Sequence, residues 1–470
     1  MDKNQRYIFF LMIAVSPFVL YALTKIQPTF DDWTYLTYPN DDPEFWKFIL
    51  PYGYYWRPFD AIFGYVLAID LDLFPALNHI IIYLGHLFSA LMIYLISRQL
   101  HFCRYSATTA TVFYFISPAM LGAVLDIDSI NQIYSAAFGL LAMFCYLSQY
   151  RKRTALWILF CTLAVLSKEN GIMWLFVIPL IAYTFEKKDI STFKRHIGIA
   201  IACTTAYFTI RLLLPHYSLS EQNEYLNFNL KTKLENLAKF IILTCCSTDF
   251  ISLFHKPNFN LPFLIITTLL SLPLFYISFV KNIKIFAQQQ ALILIIAAFL
   301  AASPHLLTLF STMHAYAALG IVALLLGYII NQNKHQQRLF SIAFMLYTVS
   351  AIMVDSRHYV ATYRSGMIGY NMAQEVLAQT KKNTQRAFCI SIDRNEQKYS
   401  TFCVIPYDAF GWGNAVYFHT RHRWPKVLKD EIISKEYAKC CLNDMIKQKI
   451  KEGYDHIWIV DGTQVKVIEK

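Results

Sequence analysis

The chain has 470 residues, of which 56% are hydrophobic and 16% aromatic, and its mean hydropathy is +0.37. Only 16% are charged, against roughly 25% in soluble domains, which excludes an ordinary soluble domain and predicts a polytopic α-helical membrane protein. The formal net charge of +11 does not indicate a nucleic-acid partner. Much of the Lys and Arg sits in short loops between apolar runs, as the positive-inside rule expects.

The first apolar run, Tyr7 to Leu23, is about long enough to cross a bilayer. It follows a basic start, and no small-residue cleavage site stands out after it, so it reads as a retained helix. Further helices are predicted near 76–97, 106–124, 131–149, 154–167, 171–185, 197–214, 261–280, 289–309, 315–330 and 338–354. The run Leu237 to Phe254 is ambiguous, being short and containing Lys239 and Asp249. If it does not cross, Lys281, Lys284, Lys334 and Arg338 fall inside and the C-terminus outside. The expectation is therefore about eleven crossings, with twelve as the rival. Residues 1–354 form the transmembrane domain, with a long first outer loop at 27–75. Residues 355–470 form a small extracytoplasmic α/β domain, with strands at Arg386 to Ile392 and His456 to Val460 and a polar helix from Lys429 to Lys451. If that domain lies outside, Cys389 and Cys403 could pair.

Ionisable residues collect at helix ends on the outer side, which is a functional hypothesis by default. Asp31 and Asp32 follow the first helix, and Arg57 sits in the same loop. Asn78, His79 and His86 open the second helix. Asp126 and Asp128 lie between the third and fourth helices, Lys168 and Glu169 between the fifth and sixth. Arg211 ends the seventh, and His305 and His314 flank a later loop. Each also has a plainer reading. Arg57 could stack on Trp56, the histidines could pack between helices, Asp126 and Asp128 could form an acidic turn, and Lys168 could pair with Glu169. The run Arg421-His422-Arg423 reads as a solvated face.

A carboxylate base, several cations and access from lipid together suit one chemistry. A sugar on a polyprenyl phosphate would place its anionic leaving group among Arg57, Lys168 and Arg211. An aspartate would take the proton of an acceptor hydroxyl, giving inversion at the sugar carbon. Two adjacent carboxylates repel each other, so one becomes a better base than an ordinary aspartate. A transporter or flippase for a lipid-linked sugar is the first alternative, and it would place polar residues near the bilayer midplane. A non-catalytic membrane scaffold is the second.

The pattern Asp31-Asp32, Trp56-Arg57-Pro58-Phe59, His79 and His86 followed by Leu91-Met92-Ile93-Tyr94-Leu95, and Leu166-Ser167-Lys168-Glu169-Asn170-Gly171 resembles GT-C-fold glycosyltransferases. Within them it is similar to the protein O-mannosyltransferase group and its bacterial relatives, over roughly residues 7–354. The resemblance implies a base in the first outer loop, here Asp31 or Asp32. It also implies a polyprenyl-phosphate-sugar donor and a site on the non-cytoplasmic face, while residues 355–470 show no tetratricopeptide pattern that would carry the acceptor class over. The acceptor is expected to be a protein, lipid or glycan hydroxyl, and the location a multi-pass one in the bacterial inner membrane. Asp126 and Asp128 occupy the loop where oligosaccharyltransferase-like members bind metal, whereas mannosyltransferase-like members need none, so no cofactor is assigned and a divalent metal stays open. Related chains often carry a Glu-Arg-Tyr-like piece in a late outer loop. This chain has Ser311-Thr312-Met313-His314-Ala315-Tyr316 there.

Overall fold

The computed structural model describes residues 14–28, 49–51, 55–59, 62, 76–148, 150–186, 189–215, 229–254, 259–307, 311–380, 384–393, 427–462 and 464–469. Asp31, Asp32, Cys403 and Arg421-His422-Arg423 lie outside these residues, as does most of the 27–75 loop.

The described chain is mostly helical. Its helices are α1 (Ala14–Leu23), α2 (Ala76–Gln99), α3 (Arg104–Ile116), α4 (Leu121–Val124), α5 (Ile130–Leu147), α6 (Arg153–Ser167), α7 (Met173–Phe185) and α8 (Ile190–Leu213). They continue with α9 (Leu230–Cys245), α10 (Phe250–Phe254), α11 (Leu261–Phe275), α12 (Gln289–Leu306), α13 (Tyr316–Gln332), α14 (Gln337–Gln379) and α15 (Lys435–Lys451). Seven helices among the described residues are long and apolar enough to cross a membrane, or eight if α3 and the segment Pro118–Val124, bent by 47°, form one span. Ala14–Leu23, Arg153–Ser167 and Glu169–Phe185 are shorter apolar helices. Backbone groups satisfied within each helix are what hydrocarbon demands of a spanning segment. Most apolar runs read from the sequence fall on these helices, but residues 7–13 lie outside the described ones, the 106–124 run is broken at Ser117–Pro118, and seven or eight helices, not eleven, meet the length and hydropathy of a span among the described residues.

The ambiguous run is not one helix. α9 begins earlier, capped by Asn229, whose side chain accepts from the Lys231 N–H at 2.9 Å. It stops at Cys245, and a non-helical stretch to Asp249 precedes α10. This break is pinned to α14. The Ser350 hydroxyl donates to the Ser247 carbonyl at 2.6 Å, and Asp249 accepts from the Arg357 guanidinium. Burial alone would raise the Asp249 carboxyl, but the His358 ring 3.7 Å away, a hydrogen bond from the Ser252 N–H and the Arg357 charge hold it below its ordinary value.

α14 runs unbroken through position 354 to Gln379, past the point where the sequence places the end of its helix. Beyond it lies a four-stranded sheet of β1 (Arg386–Asp393), β2 (Val427–Ser434), β3 (His456–Asp461) and β4 (Gln464–Glu469), in the order β2-β1-β3-β4. β1 pairs in parallel with β2 and β3, and β4 is antiparallel to β3. The first part of the expected polar helix, Lys429 to Ser434, is therefore strand, and the helix starts at Lys435. Ser434 caps it, its hydroxyl accepting from the Tyr437 N–H at 3.1 Å. Alternation along the strands sorts the two faces. Phe388, Ile390, Ile457 and Ile459 pack with Met445 and Ile446 of α15. Ala387, Cys389, Trp458 and Val460 belong to the main core, with Met372, Ala373 and Val376 of α14.

Candidate active site

The site is built where α6 ends. Ser167 closes that helix, Lys168 is extended (φ −156°, ψ 139°), and Glu169–Ile172 makes a short 3₁₀ turn into α7. Gly171 sits directly on the backbone of Ala164 and Val165, where any Cβ would collide. That contact folds the Lys-Glu-Asn-Gly stretch back onto α6 and fixes three polar side chains in different directions.

Glu169 reaches the first loop. One carboxylate oxygen accepts from the Trp56 backbone N–H at 2.9 Å, and the other accepts from Arg57 Nε at 2.8 Å. Burial pushes this carboxyl up, but the Arg57 charge and hydrogen bond, with backbone N–H groups including that of Trp56, hold it below its ordinary value. The Arg57 guanidinium lies 4.2 Å from the Tyr55 ring centroid. The Trp56 indole stacks on Tyr207 of α8, centroids 5.1 Å apart. Arg211 lies one turn beyond Tyr207 on the same helix.

Lys168 points the other way. Its Nζ donates to Asn131 Oδ1 at 3.0 Å, and Asn131 Nδ2 donates to the Asp128 carbonyl at 2.8 Å. Burial raises the Asp128 carboxyl, opposed by the charge of Lys168, a hydrogen bond from Ser129 and the more distant charge of Arg57. Asn170 takes the third direction. Its Nδ2 donates to His305 Nε2 at 3.1 Å, and that ring stacks on His314 with centroids 4.1 Å apart. Phe240 of α9 lies over the same imidazole, centroids 6.5 Å apart.

The structure thus brings Arg57, Asp128, Lys168, Glu169, His305 and His314 together at one end of the helix bundle, with Asp126 buried beside Asp128 and Arg211 near the Trp56–Tyr207 stack. His86 is seated between helices instead. His79 is fully buried in α2. His86 is enclosed by aromatic rings, its Nδ1 3.0 Å from the Tyr316 hydroxyl and its Nε2 3.1 Å from the Phe115 carbonyl. Both His86 ring nitrogens are occupied by the helices it ties together, which favours packing for that residue. Asp126 and Asp128 find no third metal-ligating side chain among the described residues, and the Lys168 ammonium already acts on Asp128. Asn131 and Tyr207 were not singled out by the sequence. An asparagine opening an apolar run was the available signal for the first, while nothing in the local pattern marks the second. The Asp249–Arg357–His358 group was also missed, though an acid inside an apolar run and a base just past the end of another were its signal.

No family model matches the chain, and no curated protein matches it. Solved structures of an oligosaccharyltransferase from Archaeoglobus fulgidus are similar to it. The apo form has TM-score 0.44 and 11% identity, over 86% of this chain and 61% of that one. The complex with zinc and sulfate gives 0.41 and 14%, over 86% and 58%. The form tethered to an acceptor peptide with the NVT sequon gives 0.42 and 13%, over 86% and 60%. The chain spans about six tenths of the length of these structures.

Proposed function

We propose that this protein is an inverting membrane glycosyltransferase of the GT-C type. It moves a sugar from a polyprenyl-phosphate donor to a hydroxyl of a protein, lipid or glycan acceptor on the non-cytoplasmic side of the membrane. The observation that carries the reading is the gathering of cations at one end of the bundle, two of them braced by a partner. Glu169 orients Arg57 and Asn131 holds Lys168. Cations fixed before the reaction stabilise a departing phosphate without reorganisation, often the largest catalytic contribution. Arg57, Lys168 and Arg211 receive the phosphate. Asp31 removes the acceptor proton, and Asp32 orients the acceptor or Asp31. A transporter would gather its charges near the bilayer midplane, whereas these sit at loop junctions.

The test is single-turnover transfer from a labelled polyprenyl-phosphate hexose by purified protein in lipid. Asp31→Asn keeps the size and removes the base, so transfer should drop about 10²–10⁴-fold with donor binding intact. Asp32→Asn should be harmed less. Loss in Asp32→Asn with activity kept in Asp31→Asn would exchange the two roles. Full activity in both sinks the transferase reading.

A further inference from the structure

Contacts at this end of the bundle form a closed circuit. Asn131, at the start of α5, bridges the Asp128 carbonyl and Lys168 Nζ. Two residues after Lys168, Asn170 meets His305 near the end of α12, and that ring stacks on His314. His314 belongs to the short turn Thr312–Ala315 before α13, and this turn closes the circuit on α4. Gly122 of α4 sits directly on it. A Cβ there would stand 2.5 Å from both the Met313 backbone nitrogen and Thr312 Oγ1, and 2.8 Å from the Thr312 carbonyl carbon. Backbone cannot yield to a side chain as a flexible tip can, so only glycine allows this crossing. Ser129, fully buried, ties the same pieces together. Its Oγ lies 3.2 Å from the Gly122 carbonyl oxygen, 3.2 Å from Asp128 Oδ1 and 3.5 Å from Met313 Sδ.

His314 is therefore held from two sides, by the His305 ring and by the Gly122 crossing at the preceding residue. Its Nδ1 is buried and meets no hydrogen-bonding partner among the described residues. That is rare for a buried polar atom and asks for a partner from outside the chain. The charges of Lys168 and Arg57 act on both imidazoles, so an anion drawn to those cations is drawn towards this ring. An imidazole N–H can donate to a phosphate oxygen, and a hydrogen bond to a charged acceptor is roughly twice as strong as a neutral one.

We infer that His314 Nδ1 contacts the phosphate of the polyprenyl-phosphate donor, and that Gly122 and Ser129 are positioning residues that seat it there. The inference rests on the function proposed above and adds a contact to the same donor phosphate. Its test needs no turnover. The Kd of polyprenyl phosphate is measured for purified protein in phosphatidylcholine nanodiscs, beside the Kd of the uncharged polyprenol. Single-turnover hexose transfer is measured separately.

His314→Phe keeps a ring to stack on His305 and removes the nitrogens. Its Kd for polyprenyl phosphate should weaken about 10–100-fold, the loss for one hydrogen bond to a charged group, with polyprenol binding unchanged. His314→Asn loses the ring, but its amide atoms hang from Cγ as Nδ1 does, so it should recover most of that loss. His314→Gln carries its amide one bond further out and should not. Gly122→Ala pushes the turn off α4 and should weaken the phosphate Kd about as much. Ser129→Ala is milder and leaves the crossing in place, so it should weaken it less. Gly198→Leu, where a Cβ meets open space, should leave it alone. A wild-type Kd in His314→Phe overturns the inference. So does an equal loss of polyprenol and polyprenyl-phosphate binding, since only packing would then have been disturbed. Wild-type Kd values in both Gly122→Ala and Ser129→Ala overturn the positioning role. Phosphate binding that depends on His314 in a protein that transfers no sugar overturns the transferase reading and leaves this inference standing.

Discussion

Glu169 joins two stretches of chain that no local pattern connects. Its partner Arg57 is 22% exposed at the side chain and Glu169 24%, so the pair is worth more than a surface ion pair and less than a fully buried one. A double-mutant cycle of Arg57→Met and Glu169→Gln should give a coupling of about 0.5–3 kcal/mol near pH 7, read from thermal unfolding in detergent. The sign of its pH dependence follows from the lowered carboxyl. The stabilisation is fully present above the ordinary value of 4.5 and is lost as pH falls through the lower folded value. A coupling that grows on acidification contradicts this pairing. Asn131→Ala removes the acceptor that steadies Lys168 and should lower kcat more than it raises KM, checked by steady-state transfer. The sequence made Arg57, Lys168 and Glu169 visible because charges at the ends of apolar runs are conspicuous. It could not say that Lys168 turns away from Glu169 to Asn131, since that depends on which helix packs behind the turn. It put His79 and His86 on one helix face, and seven-residue spacing reports a shared face without reporting what the face meets.

Elements were more legible than contacts. A bilayer imposes long apolar runs, so α2, α5, α8 and α12 to α14 could be read off hydropathy. Water-facing elements lack that constraint. Lys429–Ser434 reads as part of the following helix because Lys429, Asp430 and Glu431 look helical, while Ile432-Ile433 before a Ser434 cap is the better clue to the strand. β4 follows the Asp461-Gly462 turn signal, and it pairs Asp461 with Gln464 across a tight hairpin. The sheet depends on its buried indole. Trp458 is fully buried, and Trp458→Ala should destabilise the sheet by about 3–5 kcal/mol. Limited proteolysis of the full chain would show this as cleavage between 384 and 469 before the helical part is cut. Equal cleavage of wild type and variant would mean that the sheet is not a cooperative unit with its helices.

At the scale of the molecule, charge asymmetry predicts orientation. Lys281, Lys284, Lys334 and Arg338 fall on one side and the sheet on the other when α9 and α10 do not cross. A reporter fused after Lys470 should be active only outside the cytoplasm, and activity only in the cytoplasm would reverse the whole assignment. What joins the two sides is α14, whose 43 residues rise about 65 Å, roughly twice the thickness of a hydrocarbon core. A helix of that length behaves as a threaded shaft, with height and azimuth geared together. One residue inserted after Asn371 would lift the sheet about 1.5 Å and swing it about 100° around the axis. Seven would lift it about 10 Å and return it to within about 20° of its bearing. Activity that fails with one inserted residue and recovers with seven would mean that the bearing of the sheet matters to the acceptor, and its altitude does not.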